Sequence, residues 1–538
     1  MWRDRIKRLR VVVEHLLQSS DDEDEAQPHM DQYGNHLRRG GYHPTPQQQP
    51  DATGQQKWRH PWQASKLSKI FARTDTYDET SFGGKLFRSR TSVPRILFDE
   101  LVTEAQRYPE LPDHRAGDGQ GKRGPSCIPL RIKLGGVLNW MRMGGSITSA
   151  ADFADIDVQT LRRFGKSWAR AVMLHEYSKH VCVPTGVALD NILEVHAKHG
   201  FPGMLDGVDG VTVQVRGVPW SERNKHKGKD SGVLTRAFNV SGDVRRRIYH
   251  VHGSHPGWDN DKTMARFDQH MQAMRRREIV GSFRLYTSAE GDGAPETLST
   301  LYQLSDNGYH AWVSTQYPSK HPSGEDDLYW SARGESVRKN ESECIFGILK
   351  MRFLLFAGIF DFGRCGPDDY DKRVATFDDY FRVVCMLHNR LQDHDGISDL
   401  GTFPHDWKPV NFAHDLARRR ARLLQAAGAG GVLPADRTNI LEDDAEQPQY
   451  EIGHDVLHAK LVRHYACARV RGEVKWLHTA KWSRGLRLDT RPLEAGHRCA
   501  ARRVGHHGDE EDDEEDDEAA MYDTDASQVP SEVSDEEF

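Results

Sequence analysis

The spacing of apolar residues changes along the chain, and each change marks an element. In FPGMLDGVDGVTVQV (201–215), Val208, Val211, Val213 and Val215 form a β-branched, alternating run bounded by glycines, which predicts a strand. Arg236–Val240 and Arg247–Val251 predict two further strands, with Ser241-Gly242-Asp243 as their hairpin turn. A helix follows over 262–278, and Leu301, Tyr302 and Leu304 then give a short strand closed by the turn signal Asn307-Gly308. From Asn340 to Phe353 the period becomes helical, with Ile345, Leu349 and Phe353 four apart and Phe346 close by. Phe346, Phe353, Leu354 and Phe356 are expected in the core, and Tyr380–Leu391 is another helix. Strands and helices in this order predict an α/β core over residues 195–395.

Residues 76–190 carry the helical period instead. Phe82, Leu86, Phe87, Val93, Ile96, Leu97, Phe98 and Leu101 are the expected apolar core. Pro129–Met143 reads as a helix stopped by Gly144-Gly145, and Ser149–Phe153 as a short one. Asp157 then caps a helix running to about Val172. Helix, short helix, tight turn and second helix form a helix-turn-helix-like layout. Arg162, Arg163 and Lys166 lie on its last helix, either as a DNA-contacting face or as the solvated side of an ordinary bundle.

Composition separates the ends from this body. Residues 1–75 hold a short amphipathic pattern, an acidic run and a Gln/Pro/His/Gly-rich stretch, and read as a disordered arm. Residues 396–507 read as a basic appendage of unassigned fold, and 508–538 as a disordered acidic tail. The net charge of −7 hides a contrast: Asp509–Phe538 contains 16 acidic residues and no lysine or arginine, leaving 73 basic against 64 acidic residues elsewhere. A basic body suits a polyanionic partner. No apolar run of membrane-spanning length exists, and MWRDRIKRLRVVVEHLL is too charged for a secretory signal. Seven scattered cysteines without CxxC spacing indicate a reducing compartment and argue against a cysteine-based zinc site. The 28 histidines show neither HExxH nor paired ligand spacing. Arg418–Arg420 with Arg422, and Arg275–Arg277, are short basic runs of nuclear-localisation type.

Three carboxylates stand where elements begin or end: Asp209 on the first strand, Asp306 after the short strand, and Glu343 on the later helix, with 36 residues between Asp306 and Glu343. If they converge, they cannot all ionise without a cation, and hard oxygen ligands of this kind suit Mg²⁺ or Mn²⁺. Two such ions can clamp a phosphodiester during in-line displacement.

FPGMLDGVDG (201–210), HGSHPGWDND (252–261), LSDNGY (304–309), ESECIFGILKMRF (341–353) and CMLHNRL (385–391) occur in an order that resembles the PIF/Harbinger superfamily of DDE transposases, including the plant transposon protein group. The resemblance implies an RNase H-like mixed-sheet catalytic core that cuts and joins DNA strands, preceded by the all-helical region. It implies Asp209, Asp306 and Glu343 as catalytic metal ligands. Asp206 and Glu341 are close alternatives. Asp261 is an alternative second aspartate, or a helix cap beside the metals. The family's histidine after the first aspartate has no counterpart in Asp209-Gly210-Val211-Thr212-Val213. Lys225 and Lys227, in a cation-rich loop, and Lys350 and Arg352, after Glu343, are the expected phosphate contacts. His388 and Asn389 match the family's LHN element and are expected to make structural hydrogen bonds. The implied partners are DNA and a Myb/SANT-like protein aiding end binding and nuclear import; a homo-oligomer stays open. A different class is a domesticated, non-catalytic DNA-binding or adaptor protein on the same fold. A third is a phosphohydrolase for small substrates, which the basic body disfavours.

Overall fold

The computed structural model describes residues 47–50, 56–59, 61–111, 128–228, 232–288, 293–363, 366–395, 421, 448–474, 482–483 and 486–487. Most of the expected N-terminal arm, most of the 396–507 segment and all of the acidic tail lie outside the described residues. The chain divides into two units, Met1–Lys481 and Trp482–Phe538. In the second, Trp482–Ser483 pairs antiparallel with Leu486–Arg487.

The first unit opens on a short antiparallel pair, Gln47–Pro50 with Gln56–Arg59, inside the stretch expected as a disordered arm, and continues with helices: α1 Lys66–Phe71, α2 Phe82–Thr91, α3 Arg95–Ala105, α4 Leu130–Met143, α5 Ile147–Ala154, α6 Val158–His175 and α7 Val187–Lys198. Leu67 of α1 is fully buried, so the helical body starts inside the stretch assigned to the arm. Local chemistry sets the boundaries as expected. Gly144 ends α4 at φ 69°, and the Asp157 side chain caps α6 by accepting from the Thr160 amide at 2.8 Å. Phe87, Val93, Leu97, Phe98 and Leu101 are buried, but Phe82 and Ile96 of the expected core are exposed. Phe82 instead lies under the Arg73 guanidinium.

The sheet is mixed. Its strands are β1 Met204–Arg216, β2 Thr235–Gly242, β3 Ile248–Val251, β4 His255–Pro256, β7 Tyr302–Leu304, β8 Thr315–Gln316 and β9 Ile359–Asp361; a separate hairpin is formed by β5 Val280–Leu285 and β6 Glu296–Thr300. The main path runs β8-β7-β1-β2-β3, antiparallel from β1 to β3 and parallel from β1 to β8. The β2–β3 turn lies further along than the sequence suggests. β2 continues through Ser241 and Gly242, and Asp243 accepts from the Arg247 amide at 3.0 Å to close it. The helix expected over 262–278 is two helices, α8 Asp261–Phe267 and α9 Gln269–Arg275, because Asp268 breaks out to cap the second. Asn260, not Asp261, caps α8, accepting from the Thr263 amide at 2.8 Å. The 340–353 stretch is likewise split. α10 Glu325–Glu341 ends at Ser342, and α11 Glu343–Arg352 starts beyond it. Two further helices, α12 Pro367–Asp395 and α13 Ile452–Val470, complete the unit. No helix among the described residues is long and apolar enough to cross a membrane.

Both sheet faces are covered. One apolar cluster joins Val211, Val213, Phe238 and Val240 of the sheet to Ile345, Leu349 and Phe353 of the α11 segment, to α12, and to the N-terminal helices. A second gathers Phe201, Met204, Leu304 and Trp330 with Leu457, Leu461 and Tyr465 of α13. Thus α13, from the segment expected as an appendage, packs into the α/β body. Leu354, expected in the core, is 38% exposed. The LHN element is structural, as expected: Asn389 bonds both backbone groups of Ile248, and His388 Nε2 lies 2.8 Å from the Arg246 carbonyl. Phe238 is fully buried and stacks on Phe381 at 3.9 Å, tying the sheet to α12. Phe238→Ala is expected to cost about 3–5 kcal/mol of stability, read as a lower urea midpoint of the full chain.

A candidate carboxylate metal site

β1 is the strand that positions the site. It is paired on both sides, with Asp209 opposite Val240 of β2 and Gly207 opposite Leu304, the last residue of β7. Asp306, two residues past the end of β7, therefore comes up beside Asp209. Its Oδ1 accepts from the Gly308 amide at 2.7 Å, which turns the chain back. A β-carbon at Gly308 would sit 2.4 Å from Asp261 Oδ2 and 2.9 Å from Asp306 Oδ1, and one at Gly210 would sit 3.4 Å from Asp261 Oδ1. Asp261, in the first turn of α8, thus lies against both the β1 and the β7 carboxylate positions, and glycine at 308 leaves the room.

Glu343 joins from α11 through an arginine. Arg338, on α10, donates to Asp209 Oδ2 at 2.9 Å and, from its other nitrogen, to Glu343 Oε1 and Glu335 Oε1 at 3.2 Å each. Ser342 Oγ lies 3.4 Å from Asp209 Oδ2, and Asp209 Oδ1 accepts from the Gly210 amide. Burial pushes the Asp209 carboxyl up to about 6; Arg338 opposes the shift, while Asp306 and Glu343 add to it. The buried Tyr309 hydroxyl is held far above its ordinary value by burial and by the charges of Asp261, Asp209, Asp306 and Asp268. Four carboxylates therefore share one electrostatic neighbourhood. Arg338 was not among the expected site residues; its sequence signal is only a basic residue five before Glu343.

The alternatives Asp206 and Glu341 are occupied elsewhere. Asp206 is fully buried, with His270 Nε2 at 2.8 Å and Gln303 Nε2 at 2.6 Å. Glu341 is fully buried, with Oε1 2.9 Å from His196 Nε2, and burial pushes its carboxyl up to about 7. Asp206 is an odd number of residues from Asp209, so strand alternation directs it away. Among the described residues, two His/Asp/Glu groups have ligand atoms all within 4.8 Å of one another, and neither includes Asp209, Asp306 or Glu343. The guanidinium of Arg338 stands between two of those three.

The expected DNA contacts divide into two kinds. Arg162, Arg163 and Lys166 are exposed on one side of α6, while Leu161, Phe164 and Trp168 are buried on the other. Lys225 and Lys227 are also exposed, Lys225 pairing with Glu222 at 3.1 Å. Lys350 is half-buried and donates to the Thr212 carbonyl of β1 at 3.0 Å. Arg352 turns inward, with His388 Nδ1 at 3.0 Å and Asp395 at 3.9 Å. Of the two basic runs, Arg418–Arg422 lies outside the described residues save position 421, and Arg275 is held by Glu451 at 2.8 Å.

Oxygen-only donors from strand ends and a helix start are the donor type that a hard divalent ion takes. Comparison with curated proteins and with solved structures found no match. Residues 177–361, which span Asp209, Asp261, Asp306 and Glu343, match the family model described as plant transposon protein. That match supports a transposon-derived protein with a transposase-related function.

Proposed function

We propose that the chain is a DDE-type transposase or nuclease of the PIF/Harbinger kind, cutting and joining DNA strands with Mg²⁺ or Mn²⁺. The observation that carries this reading is the convergence of Asp209, Asp306 and Asp261, with Glu343 linked to Asp209 through Arg338. The fold supports it. Three antiparallel strands, a helical pair and then parallel strands on the other side of β1 follow the RNase H-like order. In this reading Asp209 is the shared ligand, with Asp306 on one side and Glu343 on the other. Divalent ions held there would lower the pKa of a water or a 3′-hydroxyl and would neutralise charge on the leaving oxygen. Asp261 lines the same space, and Arg338 keeps Glu335 as partner when Asp209 and Glu343 turn to ligands. The α5–α6 pair acts as a helix-turn-helix-like DNA contact, with Lys225, Lys227 and Lys350 nearer the sheet. A nuclear location and a Myb/SANT-like partner belong to the same proposal.

One observation favours the alternative of a domesticated DNA-binding protein: Arg338 already neutralises two carboxylates, as a metal would. Plasmid nicking separates the two readings. Wild type is expected to nick in Mg²⁺ or Mn²⁺, and Asp209→Asn, Asp306→Asn and Glu343→Gln are each expected to fall to background while keeping the wild-type circular dichroism. Residual nicking by Asp261→Ala but none by Asp306→Ala makes Asp306 the second ligand; the reverse pattern assigns that place to Asp261. A wild type that binds DNA without nicking it sinks the enzyme reading.

Two further outcomes are expected. Glu341→Ala, which strands His196 in the core, is expected to lower stability by about 3–5 kcal/mol, measured by urea unfolding. Removing Arg162, Arg163 and Lys166 together is expected to flatten the salt dependence of DNA affinity by about 1 in log–log slope per side chain. An unchanged slope would remove α6 from the interface.

A further inference from the structure

A second ligand cluster lies on the other side of β2. His250, on β3, and His252, just after it, are two apart on an extended segment and so share a face. With Asp268, at the α8–α9 junction, they offer ligand atoms all within 4.8 Å of one another. The donor chemistry differs from that of the carboxylate site: imidazole with one carboxylate suits Zn²⁺ or a similar transition ion rather than Mg²⁺.

Three details give the cluster the form of a built site. His250 Nε2 is buried and faces Asp268 Oδ1 at 3.3 Å, a separation that an ion held between the two atoms would also give. Asp268 is fixed from behind. Its Oδ1 accepts from the amides of His270 and Met271, and its Oδ2 from Asn239 Nδ2 at 3.0 Å. His255 adds a third imidazole and a fourth candidate ligand. Its Nδ1 faces Asp259 Oδ2 at 3.0 Å, so its Nε2 lone pair points at His252 Nε2, also 3.0 Å away. A carboxylate behind a histidine is the usual support of a metal-bound imidazole. Burial also keeps His252 neutral, with its pKa lowered to about 4. Arg382 acts on His252 but faces Asp378 and Asp379 as well, and Arg236 is taken up by Ser254, donating to its Oγ at 2.6 Å. By contrast Glu79, His394 and Asp395, the other close group, already hold the Arg88 guanidinium at 2.6 and 2.7 Å.

We propose that His250, His252 and Asp268, with His255 at hand, bind one transition-metal ion of the Zn²⁺ class that clips the end of β3 to the α8–α9 junction. Such a clip is distinct from the catalytic ions. It would steady α8, which carries Asp261 to the carboxylate site, and Asn239, which Tyr309 reaches at 2.5 Å.

The test uses the full chain, stripped with chelator and titrated with Co²⁺ and Zn²⁺ in an Asp209→Asn, Glu343→Gln background that removes the carboxylate site. One Co²⁺ per chain with the visible absorption of an imidazole-ligated four- or five-coordinate ion is expected, displaced by Zn²⁺. His252→Ala is expected to abolish that spectrum, and Asn239→Ser, which leaves every ligand in place, to weaken binding by about 10–100-fold. His394→Ala should change nothing. Absence of Co²⁺ and Zn²⁺ binding in this background overturns the proposal, as does binding that survives His252→Ala or is lost with His394→Ala. Because neither readout involves DNA cleavage, failure here leaves the nuclease reading standing, and the converse.

Discussion

Carboxylates brought together away from water must have positive charge among them, and this constraint governs the centre of the molecule. Burial alone makes Asp209 reluctant to ionise, and Asp306 and Glu343 add to that reluctance. The chain's own answer is Arg338, whose planar fork reaches Asp209 and Glu343 from separate nitrogens. The same requirement explains the neighbours: Asp206 takes His270, Glu341 takes His196, and Asp268 takes two amides, an asparagine and a histidine. Asp206, Glu341 and Asp268 are thus matched to fixed partners in the core, whereas Asp261, Asp306 and Glu343 lie around Asp209. That sorting separates the structural carboxylates from the candidate ligands.

Much of this was legible in the sequence, for identifiable reasons. β1 announces itself through its valines, and Asp157 and Gly144 mark helix ends through chemistry local to the chain. The sequence leaves Asp206 and Glu341 as close alternatives to Asp209 and Glu343, because the break at Ser342 falls inside a stretch whose period reads as one helix and the partners that occupy Asp206 and Glu341, His270 and His196, lie far away in sequence. Arg338 could not be found by pattern, since its role depends on how α10 crosses β1. The histidine cluster is similar. His250 and His252 are two apart, a spacing that means little until Asp268 is brought beside them by the helix break. Phe82, Ile96 and Leu354 show the opposite failure: an apolar residue beside a buried one need not share its face.

The plant transposon protein match ends at residue 361. The parts beyond it are not peripheral to the fold. α12 lines the main apolar cluster and pins β3 through Asn389, and α13 closes the second cluster. The matched segment therefore completes its core only with chain from outside the match.

The contact between α6 and α12 carries a further consequence. A β-carbon at Gly165 would sit 2.9 Å from the Tyr380 hydroxyl, and Tyr380 meets Trp140 edge-on at 5.1 Å. The basic helix and the sheet bearing Asp209 thus share one packed interior, with no flexible tether between them. A duplex gripped along α6 would meet the carboxylates at an offset fixed by side-chain volume. Under the proposed function, the spacing between a DNA grip on α6 and the carboxylates would then be a ruler made of core packing, graduated by residues that line neither site.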